Sequence, residues 1–461
     1  MRYNYVVPPF SLPTRTATEP DRRILAVLLM VPWIVSMSAF WIFSRSLARA
    51  SLFAVSNFVG PTAESLLHGA GLSVCTEAMG TLGNPICFHA ARMPLPSLVL
   101  ALGVRLLGTQ FLPVAFLKMS LLLLPLEAAF FLVWCHLPRS RSRQALIAFL
   151  LLVPFAMTPL LADVVNLQVE EGYTYSFLAL AVAILFFATG QPRPIRKDAL
   201  LAMLFAISVD AVYLAKSSMA PAVLVLTVAF VMRERRTVVR LMVVLLVAAA
   251  PVGWAIHQHH ASGRYALGTS IDGINLHKGN NQAFLDRYPP QPGDSLDRYD
   301  PELNAGQHFQ NEWSFNDFHQ QAATDYIRSH PYRTFQGDVH KLEVIFIITR
   351  KLGSSASRGL MLKVETAGLI LFRLLLWTAL GCAFVGVVAS RRSGSHHRRA
   401  WVSSGVIFLC LVGACALPYV LGFAYIRHVS TLIYPSVLMC CTVLAGDSES
   451  PVLNLPHRAD A

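Results

Sequence analysis

Leu112-Pro-Val-Ala-Phe-Leu-Lys-Met-Ser-Leu-Leu-Leu-Leu-Pro-Leu-Glu-Ala-Ala-Phe-Phe-Leu-Val-Trp134 decides the class of this chain. A helix needs about 20 mainly apolar residues to cross the hydrocarbon core of a bilayer. This run is long enough and carries only Lys118 and Glu127 as charges. Nine further apolar runs are read as spans, of which the four from Tyr173 to Ile256 are short and two of those could be wrongly split: Ile24 to Phe43, Ala145 to Ala162, Tyr173 to Ala188, Ala199 to Ala215, Met219 to Met232, Leu241 to Ile256, Ala367 to Ser390, Trp401 to Leu421 and Val429 to Ala445. The expected fold class is therefore an all-α polytopic membrane protein of about ten transmembrane helices. Composition agrees. Of 461 residues, 54% are hydrophobic and 14% charged, against roughly 25% charged in a soluble domain. Mean hydropathy is +0.51. These values exclude a disordered chain, a nucleic-acid-binding domain and an ordinary cytosolic enzyme.

The formal net charge is +12, and it sorts by side. Short basic connectors lie between the runs: Arg139, Arg141 and Arg143; Arg193, Arg196 and Lys197; Arg233, Arg235, Arg236 and Arg240; Arg391, Arg392, Arg398 and Arg399, with Arg22 and Arg23 before the first run. If ten spans alternate, every cluster falls on one side. The positive-inside rule makes that side the cytoplasm and places both termini there. The six segments so assigned hold 19 Lys/Arg and 7 Asp/Glu, the whole net excess. The first run is long and has no clear small-residue cleavage site, so it reads as a retained anchor.

Two segments then lie outside, 44–111 and 257–363. They divide the chain into an N-terminal transmembrane module (1–256), an external region (257–363) and C-terminal helices (364–461). In the first segment, Leu95, Leu98, Val99, Leu102, Leu106 and Leu107 share one helical face. Pro94 to Leu107 is too short to span, and reading it as a span would put the basic clusters outside. It is expected to be an amphipathic helix in the outer interface, stopped by Gly108. Cys75 and Cys87 are the only cysteines outside the spans, and an oxidising compartment could bridge them. The second segment is polar and too long for a simple connection; residues 257–340 hold ten acidic and six basic residues. Asp272-Gly273 and Gly279-Asn280 read as turns. Phe318 to Pro331 shows helical spacing, with an end before the proline. No glycine-rich phosphate loop or zinc pattern is present.

The order of these features resembles the GT-C class of integral-membrane glycosyltransferases, with the nearest look to bacterial relatives of the dolichyl-phosphate-mannose protein mannosyltransferases and of the aminoarabinose lipid A transferase. The resemblance spans nearly the whole chain. Ala63-Glu-Ser-Leu-Leu-His-Gly69 looks like the family's A-x-x-L-L-x-G, and Arg92-Met-Pro-Leu-Pro96 like its interfacial-helix start. Glu170-Glu-Gly-Tyr-Thr174 resembles the acidic opening of the fourth span, and Ala215-Lys-Ser-Ser218 a basic-hydroxyl pair. Thr269-Ser-Ile-Asp-Gly-Ile-Asn-Leu-His-Lys-Gly-Asn-Asn281 resembles a G-x-N-L-x-x-G-N-N stretch and is the most specific match. Ala323 to Pro331 followed by Lys341, then Arg427 and Pro435, complete the series.

The resemblance implies a polyprenyl-phosphate-linked sugar as donor, a lipid, glycan or protein acceptor, membrane lipids as surroundings and transfer with inversion at the outer face of a bacterial inner membrane. Nucleic acid is not implied. A lipid-phosphate leaving group calls for cations at the outer ends of the spans: Arg92, Lys118, Lys216 and Arg427 are the candidates. Lys118 also fits snorkelling to headgroups. A carboxylate must act as general base, or hold a divalent metal ion that does so. The family's first-loop acid would fall near Val55, Ser56 and Asn57, where there is no carboxylate. The base is then to be sought among Glu64, Glu77, Asp163 and Glu170, or is missing. Asp163, Glu170 and Glu171 share one short turn, where clustered carboxylates raise one another's pKa; a solvated turn is the plain alternative. His277, Lys278, Asn280 and Asn281 are candidate substrate contacts, although the asparagines also suit bonding their own backbone. The metal ligands are not identifiable; His257-Gln-His-His260 could ligate a transition metal or simply hydrate an interface. Two other readings stand beside the transferase. An O-antigen polymerase or ligase also has a large outer loop, but the acidic balance here argues against it. A secondary transporter would show an inverted repeat and broken helices at midplane, and neither is visible.

Overall fold

The computed structural model describes residues 58–81, 84–135, 170–189, 193–286, 307–348, 360–390 and 396–446, besides residues 34 and 38. The expected spans at 24–43 and 145–162, the connector arginines 139–143, Asp163 and the far N- and C-terminal segments lie outside these residues.

The described chain is predominantly α-helical. Among the described residues, six helical stretches are long and apolar enough to cross a membrane. They are Phe111–Trp134 in α3 (Phe111–Cys135); α4 (Glu171–Ala183) with its π-turn continuation Ile184–Ala188; α5 (Ile195–Ala215); α7 (Thr237–Ser262); Ala367–Val388 in α12 (Leu360–Ser390); and Ser404–Leu421 in α13 (His396–Leu421). Two expected runs are shorter helices, α6 (Ala220–Arg233) and α14 (Ile433–Gly446), each entered through a 3-10 turn, at Ser217–Met219 and Ile426–Leu432.

α4 is the centre of the bundle. Its small residues, Ala179, Ala181 and Ala183, let α3, α5 and α14 close around it, and almost every side chain is buried. Its polar side chains satisfy backbone: Thr174 Oγ1 donates to the Glu171 carbonyl at 2.8 Å. Ser176 Oγ donates to the Leu122 carbonyl beside Pro125, where the proline interrupts the helical ladder of α3. By contrast, α7 turns Val238, Leu241, Leu245, Val252 and Ile256 outward. Each large apolar side chain left in water forgoes about 1.5–3 kcal/mol, so this outer surface suits lipid.

The bundle has two chemically different ends. At one, Arg236 pairs with Asp198 at 3.1 Å and donates to the Arg193 carbonyl at 2.6 Å, and Arg233 Nη2 donates to Ser404 Oγ at 2.7 Å. Helix α5 starts here and its 21 residues carry the chain about 30 Å to Lys216 at the other end.

That second end carries a cap built from both segments expected to be external. α1 (Val59–Leu67) leads into an antiparallel hairpin, β1 (Val74–Thr81) and β2 (Asn84–Phe88), in which Cys75 faces Cys87 and is disulfide-bonded to it. The hairpin is an addition to the expected all-α pattern. α2 (Pro94–Leu107) begins and ends at the expected residues. Its leucine stripe, Leu98, Leu102 and Leu106, is the exposed face, while Ser97, Ala101 and Val104 pack on the protein. This is the orientation an interfacial helix requires.

The polar segment 269–281 departs from expectation. Asp-Gly and Gly-Asn do not make turns there but bracket a helix, α8 (Asp272–Gly279). The Thr269 N–H donates to Asp272 Oδ2 at 2.8 Å and its hydroxyl to Oδ1 at 2.6 Å, so Thr269 holds the Asp272 side chain at the helix start. The glycines serve close approach. A Cβ on Gly273 would lie 2.2 Å from the Asn316 carbonyl oxygen, and one on Gly279 only 1.6 Å from that of Gly422. After the short α9 (Gln282–Leu285) come α10 (Glu312–Ser329), which starts before the expected Phe318 under an Asn311 capping box, and α11 (Pro331–Phe346). A second small core of Ile86, Phe88, Ile271, Ile274, Phe309 and Phe315 welds hairpin, α8 and α10 into one layer. The Phe88 and Phe315 rings meet edge to face at 5.6 Å.

Candidate active site

Three chain positions bring charge to the cap end of the bundle, the loop before α2, the start of α4 and the end of α5, and the end of α13 adds the Tyr419 ring. Arg92 Nη1 lies 3.2 Å from Glu170 Oε1. Lys216 Nζ lies 2.8 Å from Glu171 Oε1 and 4.0 Å from Glu170 Oε1. Glu170 therefore sits between two cations. The Glu171 side chain is only 3% exposed and that of Lys216 only 11%, so Glu171 is not the solvated turn residue considered from sequence. Water this scarce strengthens the pair and makes either partner costly to leave alone.

Local sequence explains the placement of Lys216. It ends α5 in an extended conformation, φ −157°, because the chain must turn into the 3-10 turn before α6. That extension points the side chain back across the start of α4. Its ammonium stands 5.6 Å from the centre of the Tyr419 ring. The Tyr419 hydroxyl is 3.1 Å from Ser218 Oγ, and its ring stacks on His428 at 4.0 Å. The Lys216-Ser217-Ser218 hydroxyl pattern thus meets an aromatic that sits inside an apolar run.

Arg92 is held from the cap. The N–H groups of His89 and Ala90 each donate to Glu312 Oε2 at 3.0 Å, Gln258 Nε2 donates to the His89 carbonyl at 3.2 Å, and Ser270 N–H to the Ala90 carbonyl at 2.9 Å. Glu312 and Gln258 are fully buried. Asp272 stands beside this set. Trp254 Nε1 fixes the Gly268 carbonyl at 3.0 Å, and a Cβ on Gly268 would fall 2.2 Å from Asp272 Oδ2. The Asp272 side chain is exposed on one side and crowded on the others. Burial pushes its carboxyl up from the usual range; the two Thr269 hydrogen bonds and the nearby Arg92 pull it down, and Glu170 pushes it up again.

The remaining sequence candidates fall elsewhere. Glu64 is exposed on α1, and no ion pair joins it to Arg92 or Lys216. Glu77 lies on β1, with its side chain outside the described atoms, as is that of Arg427 in the turn before α14. Lys118 does not snorkel: it is buried inside the bundle, 5.2 Å from the centre of the Tyr173 ring. Asn280 donates to the Leu276 and Leu421 carbonyls at 2.8 and 2.7 Å, and Asn281 to that of His277 at 2.6 Å. Both asparagines stitch α8 to its surroundings. Lys278 is buried with its ammonium 5.7 Å from the Phe423 ring centre. His277 Nδ1 meets His319 Nδ1 at 2.9 Å; burial lowers both imidazoles, His319 to about 3.

Histidines 257, 259 and 260 do not converge. His257 stacks on Trp254 and His259 on Tyr265. Among the described residues no group of three or more His, Cys, Asp or Glu side chains could hold a metal ion.

No family model matches the chain, and no curated protein matches it. Among solved structures, the chain is similar to the crystal structure of ArnT from Cupriavidus metallidurans in the apo state, with 14% identity over 93% of this chain and 78% of that chain, at a TM-score of 0.36.

Proposed function

We propose that this chain is a GT-C-type membrane glycosyltransferase that moves a sugar from a polyprenyl-phosphate carrier to a lipid, glycan or protein acceptor at the outer face of a bacterial inner membrane. The observation that carries the reading is the pair of cations, Arg92 and Lys216, set around Glu170 where an apolar bundle meets a polar cap. A lipid phosphate has its charge at that depth. Glu170 occupies the position between the cations that a phosphate would take, so it acts as the resident anion until donor arrives. Glu171 stays with Lys216 and keeps its ammonium in place. When the glycosidic bond breaks, negative charge grows on the phosphate oxygen, and cations already held in a water-poor site stabilise it without reorganising.

The test uses the full chain in lipid nanodiscs with a panel of polyprenyl-phosphate sugars and an envelope lipid extract as acceptor pool. Free polyprenyl phosphate should appear, and should not appear with Arg92→Gln/Lys216→Gln. No release from the unsubstituted chain with any donor sinks the reading.

A further inference from the structure

Transfer to a hydroxyl needs a base, and the two glutamates at the cations are not available for the task. Glu170 is shared between Arg92 and Lys216, and Glu171 is buried against Lys216. Glu64 is exposed on α1 and unconnected to the cations. We infer that Asp272, at the start of α8, is the catalytic base of this site, accepting the proton of the acceptor hydroxyl. The inference rests on the transferase reading above and adds the residue that performs the step.

Three features of Asp272 fit. The Ser270 N–H bond to the Ala90 carbonyl at 2.9 Å ties the loop just before it to the backbone two residues from Arg92. Among the described residues the hydrogen bonds of the Asp272 carboxylate are with the hydroxyl and backbone N–H of Thr269, which leaves lone pairs for an incoming hydroxyl. Its orientation is fixed by those bonds and by the bare backbone of Gly268, against which one oxygen rests. A carboxylate so held loses little freedom when it acts.

The step balances as follows. The acceptor oxygen attacks the anomeric carbon while its proton passes to an Asp272 oxygen. The bond from that carbon to the phosphate oxygen breaks, and its electron pair stays on the phosphate beside Arg92 and Lys216. The product is an inverted glycoside and free polyprenyl phosphate, and Asp272 then returns its proton to solvent.

Asp272→Asn keeps an acceptor oxygen for the Thr269 N–H but cannot take a proton. In nanodiscs it should bind polyprenyl phosphate as the unsubstituted chain does, while transfer falls by about 100-fold or more. Thr269→Val, which removes the hydroxyl that orients Asp272 and spares the carboxylate, should lower transfer by less than Asp272→Asn does. Transfer by Asp272→Asn within threefold of normal overturns the assignment alone. Loss of phosphate binding together with transfer makes Asp272 a structural residue and also overturns it. If the unsubstituted chain binds polyprenyl phosphate but transfers from no donor, the transferase reading falls and takes this one with it.

Discussion

Lys216 at the end of α5 and Glu171 at the start of α4 form an ion pair of 2.8 Å that is almost closed to water. Removing one partner leaves a charge stranded, at a cost of about 3–5 kcal/mol. Lys216→Ala should therefore lower the thermal midpoint strongly. Lys216→Met combined with Glu171→Leu should recover most of it, because both charges are gone, yet still fail to bind polyprenyl phosphate. Thermal melts and binding in the same nanodiscs separate the two effects.

Glu170 competes with the ligand the two cations are proposed to hold. Glu170→Gln should then tighten polyprenyl phosphate binding several-fold, whereas Arg92→Gln should weaken it about tenfold or more. Equilibrium binding at fixed salt checks both directions, and weaker binding by Glu170→Gln would contradict the resident-anion role.

Glu312 reaches from α10 to the N–H groups of His89 and Ala90, two residues before Met93's neighbour Arg92 comes into play. Glu312→Ala leaves the buried Ala90 N–H unpaired, at about 1–3 kcal/mol, and the half-buried His89 N–H with it. Glu312→Gln can still accept from them. The alanine variant should lose stability and phosphate affinity together, and the glutamine variant should restore both. Melts and binding isotherms of the pair settle the point.

Gly279→Ala places a methyl inside the Gly422 carbonyl. One of two packed backbones must move, which overpacking studies put at about 1–3 kcal/mol or more. Yield of folded protein and melting midpoint should both drop, and a Gly422 substitution should not repair them.

The His277–His319 contact sets a pH dependence. Burial, then His277, then Lys278 hold the folded His319 near 3. In the unfolded chain it takes a proton near 6.5. Between those values the unfolded state binds more protons, so stability falls as pH falls from about 6.5 toward 3. The charged neighbour on α8 is Lys278, which opposes protonation as well. Melting midpoints from pH 8 to pH 5 should decline, and His319→Gln should flatten the decline.

Some of this was legible in residue spacing. Pro94 to Leu107 carries its own start, stop and apolar period, and the helix has those bounds. Lys216 stood out because a cation at the end of an apolar run has few structural uses. Asp272 did not stand out, because Asp-Gly ordinarily means a turn; the helix there depends on the Thr269 bonds to Asp272 and on Asn316 and Gly422, which lie far along the chain. Tyr419 was hidden in an apolar run, where nothing local distinguishes a lipid-facing ring from one beside an ammonium. Glu312 shows no pattern at all, since its partners are backbone groups more than 220 residues away.

Tyr419 also fixes an order of events during synthesis. Glu171 and Lys216 are 45 residues apart, whereas 201 residues separate Ser218 from Tyr419. At about 5–20 residues per second, the ribosome needs roughly 10–40 s to span that second interval. The nascent chain thus carries both charged partners for roughly 10–40 s before the ring that stands over Lys216 exists. A chain released before α13 would lack the ring that stands over the Lys216 ammonium and so would leave the proposed phosphate seat unroofed.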